Sequence, residues 1–438
     1  MLRMVMRIGA PLACAMTIPC AASAADKPTI DTGDTAWLLV ATVLVLMMNI
    51  PGLALFYAGM VRKKNVLATG VQAFAIAALV TVLWFIVGYS LAFTDGGALN
   101  AVIGSLSRAF GAGLQGSTHD LAKTVPENVF LMYQATFAVI TPAIIAGAFA
   151  ERMKFSAMMW FMALWLLLVY VPVAHWVWGG GFLGSAGVLD FAGGLVVHLN
   201  AGIAGLVCCL VLGRRQGYGS EYMAPHNLVL TLIGTSLLWV GWFGFNAGSA
   251  LSSGELAGSA MLNTHISAAA AALVWMSVEW ASRGKPSVLG ILTGAIAGLG
   301  TITPAAGYVE PWAALVIGVI AGVVCYWASV VLKNRLGYDD SLDVFGVHGV
   351  GGIIGTILVG VFATRFINDV NKGQPVGLVD GNGGQILTQL YGVVVISVFC
   401  AVATWVVLKI VDALVGLRVS RDEETEGLDT ALHGERVQ

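Results

Sequence analysis

Charged residues are scarce in this chain. Of its 438 residues only 11% are Asp, Glu, Lys or Arg, against about 25% in an ordinary soluble domain. With 22 basic and 24 acidic residues the formal net charge is -2, so the chain has no basic surface of the kind that captures nucleic acid. The low charge therefore excludes nucleic-acid binding and argues against a soluble fold.

Cysteine is also rare, and its placement indicates no site. Of six cysteines, two lie near the N-terminus and four lie inside apolar runs, at Cys208, Cys209, Cys325 and Cys400. None has the spacing of a disulfide scaffold or a zinc site. We interpret them as small apolar residues packed between helices, and we expect neither a metal ion nor a cofactor.

Long apolar segments dominate the rest of the sequence. Hydrophobic residues make up 58% of the chain, its mean hydropathy is +0.85, and a membrane-spanning helix needs about 20 such residues. The sequence predicts an all-α membrane protein in the lipid bilayer with eleven transmembrane helices, at about 35–60, 65–93, 126–150, 155–178, 190–213, 227–250, 257–282, 286–304, 311–333, 344–364 and 386–415.

The N-terminal segment predicts a cleaved signal peptide. Residues 1–24 carry two arginines, then an apolar stretch over 8–20, then the small residues Ala22, Ser23 and Ala24. A further transmembrane helix is disfavoured because prolines bracket a stretch shorter than a span requires. The mature chain would then hold a transport domain over 25–417 and a tail over 418–438.

Basic residues predict the orientation of the helices. By the positive-inside rule, clusters of Lys and Arg mark cytoplasmic loops. Such clusters follow every odd-numbered helix: Arg62, Lys63 and Lys64; Arg152 and Lys154; Arg214 and Arg215; Arg283 and Lys285; Lys333 and Arg335; Arg418 and Arg421. This places the N-terminus outside and the C-terminus in the cytoplasm.

One pattern occurs twice along the chain. Val197-His198, followed by Gly202-Ile203-x-Gly205, matches Val347-His348, followed by Gly352-Ile353-x-Gly355. The copies lie in the fifth and tenth helices, and because five is odd the second copy crosses the membrane in the opposite sense. The sequence predicts an inverted five-plus-five repeat, about 35–213 and 227–366, with helix eleven at 386–415 outside it. Transporters with such repeats bind their substrate near the midplane.

The repeat brings two histidines into equivalent positions. His198 lies eight residues into its helix, about 12 Å along it, near the centre of a roughly 30 Å hydrocarbon core. A titratable group there is costly and usually functional. Two adjacent imidazoles can share a proton, which suits a guest that both donates and accepts protons. Two alternatives remain: core histidines bonded to backbone carbonyls, and a metal site, although zinc would need further ligands nearby.

Acidic and aromatic residues near the helix ends supply the other candidates. Asp190 precedes the fifth helix and is expected to cap it, with or without an electrostatic effect on an incoming cation. Asp343, five residues before His348, is interpreted in the same way. The aromatics in helices three, four and six fit either an interfacial belt or, together with Ser249, a vestibule that binds cations. The remaining histidines, including His175, are assigned no role.

Four motifs resemble the ammonium transporter family (Amt/Mep/Rh), specifically its bacterial Amt branch. The resemblance covers essentially the whole mature chain. The motifs are Trp178-Gly179-Gly180-Gly181; Leu189 to Gly194, running on to His198; Gly241 to Ser249, which reads GWFGFNAGS; and Asp343 to Gly349, which reads DVFGVHG.

The resemblance implies a homotrimer with one pore per subunit in the bacterial inner membrane, transporting ammonium, with methylammonium as an analogue. It implies an outer site formed by Trp178, Ser249 and Phe137 and supported by Asp190. Phe137 and Phe245 would stack as a gate, with Tyr133 and Trp242 in the gate and vestibule, and His198 and His348 would line the pore. Tyr133 is a departure, because many relatives have Phe there.

The tail over 418–438 is polar and charged, so by composition alone it is a solvated segment that need not be ordered. The resemblance implies instead that residues such as Glu426, Gly427, Leu428 and Asp429 pack beneath the trimer and help P-II signalling proteins to block the pores.

Three other functions are considered beside ammonium transport. A neutral ammonia channel would carry no current, whereas ammonium uptake would. An ammonium sensor would bind without much flux and signal through the tail. An enzyme is disfavoured, because no nucleophile-base pair or Glu-containing metal motif accompanies the histidines.

Overall fold

A computed structural model describes residues 29–437, and the predicted signal peptide at 1–24 lies outside them. Within the described residues ten helices are long and apolar enough to cross a membrane, which confirms a multi-pass, all-α membrane fold. They are α1 Thr32–Met60, α2 Lys63–Phe93, α3 Glu127–Phe149, α4 Phe155–Ser185, α5 Gly194–Leu212, α6 Leu228–Gly248, α7 Glu255–Arg283, α9 Pro311–Leu336, α10 Phe345–Phe362 and α11 Gly384–Val415.

The eighth predicted span is shorter than the others. Helix α8 covers Val288–Ile302, only 15 residues, or about 22 Å of rise. It is apolar and mostly buried among its neighbours. The count of eleven spans therefore remains a prediction.

The two ends of the helical bundle are distinct. One end carries the 94–126 connection, which contains a short hairpin of β1 Thr118–His119 and β2 Ala122–Pro126. The other end carries the tail, where the backbone N–H of Lys154 donates to the carbonyl of Leu417 at 2.9 Å. Helix α4 begins beside the tail and reaches the opposite end near Trp178.

Four of the six π-helical turns in the described residues occur at corresponding places in the two predicted repeats; the other two, at Met48–Leu53 in α1 and Trp84–Gly88 in α2, have no counterpart in α6 or α7. Helix α4 contains one at Leu166–Tyr170 and α9 one at Trp327–Leu332; α5 begins with one at Gly194–Leu199 and α10 with one at Phe345–Gly349. Such turns are rare and are frequent at functional sites. Both pore histidines lie within one. The pairing of α4 with α9 and of α5 with α10 is what an inverted repeat requires, and the exact repeat boundaries remain predictions.

Helices α5 and α10 cross in direct backbone contact. A Cβ at Gly352 would lie 2.7 Å from both the Gly194 carbonyl oxygen and the Leu199 nitrogen. A Cβ at Gly202 would collide with the backbone of Gly349. Small residues allow this approach, which stabilises helix pairs where lipid removes the hydrophobic drive. The crossing lies beside the two histidines.

The tail is ordered, which corrects the expectation from its composition. It forms α12 Arg421–Glu426 and α13 Leu428–His433, the first begun by a capping box at Ser420. The Asp429 carboxylate accepts the N–H groups of Leu67 and Ala68, at 3.1 and 2.8 Å, where the α-helical part of α2 begins at Val66. The tail is ordered because it supplies the acceptors that this helix start lacks.

Ion pairs hold the loops at the tail end. The Arg215 guanidinium contacts the carboxylates of Asp339, at 2.8 Å, and Glu151, at 3.2 Å, and Glu151 also pairs with Arg62. Burial raises the pKa of Asp339, but the hydrogen bonds and charge of Arg215 outweigh it and lower that pKa below the ordinary value. The network is therefore ionised at neutral pH.

Candidate functional site

The two pore histidines meet in the middle of the bundle, as the repeat predicts. Their Nδ1 atoms lie 3.2 Å apart, and the rings are nearly coplanar, with centroids 5.3 Å apart and an interplanar angle of 15°. His198 is 1% exposed and His348 5%. One Nδ1 must donate to the other, because two lone pairs at this distance would repel each other.

One buried ring nitrogen of the pair is left without a hydrogen bond within the described residues. His198 Nε2 is buried and has no hydrogen-bond partner among residues 29–437. Trp242 stacks on the His198 ring, with centroids 5.4 Å apart, and is itself fixed by an Nε1 bond of 2.9 Å to Thr303 Oγ1. In the part of the chain that the structure describes, no group of three or more His, Cys, Asp or Glu residues is placed to hold a metal ion.

An apolar cavity, here called the lumen, is lined in part by the two histidines. It has a volume of about 10 Å³, close to the minimum for one water molecule. Its lining is Met48, Leu53, Phe56, Ile140, Ile144, Leu238, Trp242, Phe245 and Ile296 besides the two histidines. A hydrated alkali ion does not fit this space, and a bare ion would find almost no oxygen ligands there.

A pair of phenylalanines closes one end of the lumen. The rings of Phe137 and Phe245 lie with centroids 4.4 Å apart at 35°. Phe245 lines the lumen, and Phe137 lines the cavity on its other side. The two rings, here called the gate after their predicted role, therefore lie between the two spaces. Both are fully buried, so this aromatic pair is no part of an interfacial belt.

The cavity beyond the gate, here called the mouth cavity, brings together all four predicted outer-site residues: Phe137, Trp178, Asp190 and Ser249. Its volume is about 410 Å³. Trp178 lies edge-to-face with Phe137, with centroids 5.8 Å apart at 87°. The lining also includes residues that the sequence did not single out, among them Gln134, Tyr308 and Asn368. Of these three residues, only Gln134 could have been found from the sequence, because it is adjacent to Tyr133.

Asp190 caps the start of α5 with both of its oxygens. Oδ1 accepts the N–H groups of Gly193 and Gly194 at 2.8 and 2.6 Å. Oδ2 accepts those of Leu195 and Val196 at 2.8 and 3.1 Å. Its backbone carbonyl also accepts Trp178 Nε1 at 2.8 Å. Asp190 therefore supports the cavity wall, and four amide donors offset its charge.

The equivalent residue in the second repeat is Asp340, and the prediction of Asp343 as a cap was wrong. Asp340 Oδ2 accepts the Phe345 N–H at 2.7 Å, and Asp340 precedes His348 by eight residues, as Asp190 precedes His198. Asp343 instead pairs with Lys333 and adopts a positive φ of 60°. Counting from the histidines in both repeats would have found Asp340.

Two further buried residues, Tyr133 and His175, lie outside the mouth cavity and bond to neighbouring elements. Tyr133, fully buried, bonds through its hydroxyl to the last turn of α6. His175, to which the sequence assigned no role, is also buried and links α4 to two other elements. Its Nε2 lies 2.7 Å from the carbonyl oxygen of Asn100 in the 94–126 connection, and its Nδ1 lies 2.9 Å from that of Ala92 at the end of α2. The only sequence feature that could have indicated His175 is its position one turn before Trp178.

The chain matches a known family over nearly its whole length. The family model described as Ammonium Transporter Family matches residues 36–438. The chain is 48% identical to a Bacillus subtilis protein named ammonium transporter, over 92% of this chain and 98% of that one. It superposes on the crystal structure of Saccharomyces cerevisiae Mep2 with a TM-score of 0.84 and 36% identity, covering 90% and 89% of the two chains.

A structure titled Sensor Amt Protein gives a TM-score of 0.83 at 28% identity, covering 92% of this chain and 98% of that one. The family match spans nearly the whole sequence, and the residues of the lumen and mouth cavity lie within it. This chain belongs to the ammonium transporter family.

Proposed function

We propose that the chain carries ammonium across the bacterial inner membrane, with the mouth cavity outside and the tail in the cytoplasm. The observation that carries the proposal is the pair of imidazoles in a lumen too narrow and apolar for a hydrated ion. Aromatic rings in the mouth cavity would attract the cation by about 0.5 to 2 kcal/mol, enough to recruit it without trapping it. N-terminus outside and C-terminus inside follow from the positive-inside rule.

Ammonium must lose a proton before it crosses the lumen. Burying an unpaired cation in an apolar space is costly, whereas neutral ammonia crosses it easily. His198 Nε2, buried without a partner among the described residues, can accept the proton when an N–H bond of ammonium breaks. Transfer between the Nδ1 atoms would pass a proton to His348, from which another leaves toward the cytoplasm.

Current recorded from the purified protein in liposomes tests the proposal. An ammonium pulse should produce a current in the wild type, and His198→Ala should lose it or lose its preference over potassium. A flux of ammonia without any current would favour the neutral channel instead. A potassium current equal to the ammonium current in the wild type would contradict the proposal.

A second candidate is an ammonium sensor that signals through the tail. The direct bonds of Asp429 to α2 favour it, because they connect the tail to a spanning helix. Flux separates the two functions. A sensor would bind methylammonium with turnover too low to support growth on limiting ammonium.

We also propose a homotrimer with one pore per chain, and a P-II signalling protein as the partner of the tail end. Leu428 N–H donates to the Asn65 side chain at 2.8 Å, and Glu424 accepts the Gln216 N–H at 2.7 Å, so the tail fixes the loops such a partner would meet. Deleting 418–438 should abolish P-II binding. Unchanged uptake and unchanged P-II binding in that variant would contradict the role of the tail.

A further inference from the structure

Tyr133 lies directly behind the mouth cavity. Its ring packs edge-on against Phe137, with centroids 5.1 Å apart at 69°. Its hydroxyl donates toward the carbonyls of Gly244 and Phe245, both at 2.9 Å, and lies 3.3 Å from Ser249 Oγ. One hydroxyl on α3 therefore reaches both a gate residue and Ser249.

The last turn of α6 leaves the Phe245 carbonyl in need of donors. In a regular α-helix the Ser249 N–H would bond to it. Here that N–H donates to the Asn246 carbonyl at 3.2 Å, so the turn is tightened. The Phe245 carbonyl accepts the hydroxyls of Ser249, at 2.8 Å, and Tyr133 instead. Because an unpaired buried carbonyl is costly, these two hydroxyls hold the turn in place.

This arrangement decides which atoms Ser249 offers to the cavity. A hydroxyl has one proton to donate and two lone pairs. The Ser249 proton is directed to the Phe245 carbonyl, and the Tyr133 proton is directed to the same turn. Ser249 Oγ is left with lone pairs, which suit an N–H group of a cation in the mouth cavity.

We propose that Tyr133 is the positioning residue of the mouth cavity, an inference that rests on the proposed transport of ammonium. Its hydroxyl shares the Phe245 carbonyl with Ser249 and thereby holds the turn of backbone that carries both Phe245 and Ser249. Removing that hydroxyl frees one carbonyl lone pair, and the turn that carries both residues loosens. The affinity of the mouth cavity for ammonium then falls, while the pair of His198 and His348, which lies on α5 and α10, stays in place.

The test compares Tyr133→Phe with Ser249→Ala, the double variant and Tyr57→Phe. Tyr57 is a matched control, since its buried hydroxyl also donates to a backbone carbonyl of a neighbouring helix, that of Ile144 in α3 at 2.9 Å. For Tyr133→Phe the half-saturating ammonium concentration should rise about fivefold, the factor of one ordinary hydrogen bond, with maximal current preserved. In the double variant the two effects should fall short of their product, because they act on one bond network. Tyr57→Phe should lower thermal stability similarly without changing half-saturation.

Three results would overturn this inference: an unchanged half-saturation in Tyr133→Phe, an equal rise in Tyr57→Phe, or multiplicative effects in the double variant. Methylammonium binding, followed by thermal shift of the purified protein, separates this inference from conduction. Binding that depends on Tyr133 without any current supports the positioning role and contradicts transport. If Tyr133→Phe does not fold, Ser249→Thr against Ser249→Val tests the same bonds, and equal affinities for those two overturn the inference.

Discussion

The mouth cavity and the lumen are neighbours with opposite chemistry. The mouth cavity has a volume of about 410 Å³ and polar groups from Ser249 and Gln134 in its wall, whereas the lumen has about 10 Å³ and is apolar except for two imidazoles. The tilted rings of Phe137 and Phe245 lie between them. Aromatic faces can stabilise a cation in the mouth cavity, whereas burying a cation in the lumen is costly. Under the proposed function, recruitment and conduction therefore take place in different spaces.

Separating α5 from α10 should have the largest effect on transport. Gly202→Val places side-chain atoms where the Gly349 backbone lies, so the histidines move apart. We expect complete loss of ammonium current and a loss of stability of about 3 kcal/mol or more. Current and thermal unfolding of the purified protein measure both. Gly258→Ala, where a Cβ meets nothing within 4 Å, is the control; wild-type currents in the Gly202 variant would contradict the role of the crossing.

Making the lumen polar should abolish its selectivity. Leu238 lines it beside Trp242, and Leu238→Gln adds a buried amide that is satisfied only if water enters. We expect a potassium current to appear, so that the preference for ammonium falls by about tenfold or more. Reversal potentials in mixed ammonium and potassium gradients report this. A variant that still excludes potassium would show that apolar walls do not set the selectivity.

Changing the mouth cavity alone should affect affinity and leave selectivity intact. Trp178→Leu removes the aromatic face next to Phe137, and a cation-π contact of about 0.5 to 2 kcal/mol corresponds to roughly twofold to thirtyfold in half-saturation. Maximal current should change little. A potassium leak in Trp178→Leu would mean that the two spaces are not independent.

A change at the tail end, outside both spaces, should have the smallest effect on transport. Asp339→Asn leaves Arg215 without its main partner and should cost about 3 kcal/mol of stability at neutral pH. Because the pKa of Asp339 is lowered in the folded protein, its contribution is present above the ordinary carboxyl value and is lost as pH falls below about 4. Thermal unfolding between pH 3 and 8 should show the two proteins converging only at the acid end. A constant difference down to pH 3 would exclude Asp339 as the titrating group.

Local pattern determined much of this protein. Apolar runs of spanning length predict the helices because lipid forces each segment to satisfy its own backbone hydrogen bonds, so length and composition suffice. Spacing determined the histidine pair, since equivalent positions in two oppositely directed copies must meet at their axis. The resemblance to the family, rather than spacing, indicated Phe137, Trp178, Asp190 and Ser249, which the structure places on one cavity.

Only the tertiary structure decided the contacts that depend on distant partners. The tail is ordered because Asp429 finds free amides at the start of α2, more than 350 residues away. Asp340 rather than Asp343 caps α10 because of how the chain turns into that helix. The hydroxyl of Tyr133 matters because α6 ends in a tightened turn with a carbonyl in need of donors. Composition and periodicity do not encode which donor meets which acceptor, because that depends on the packing of all the helices together.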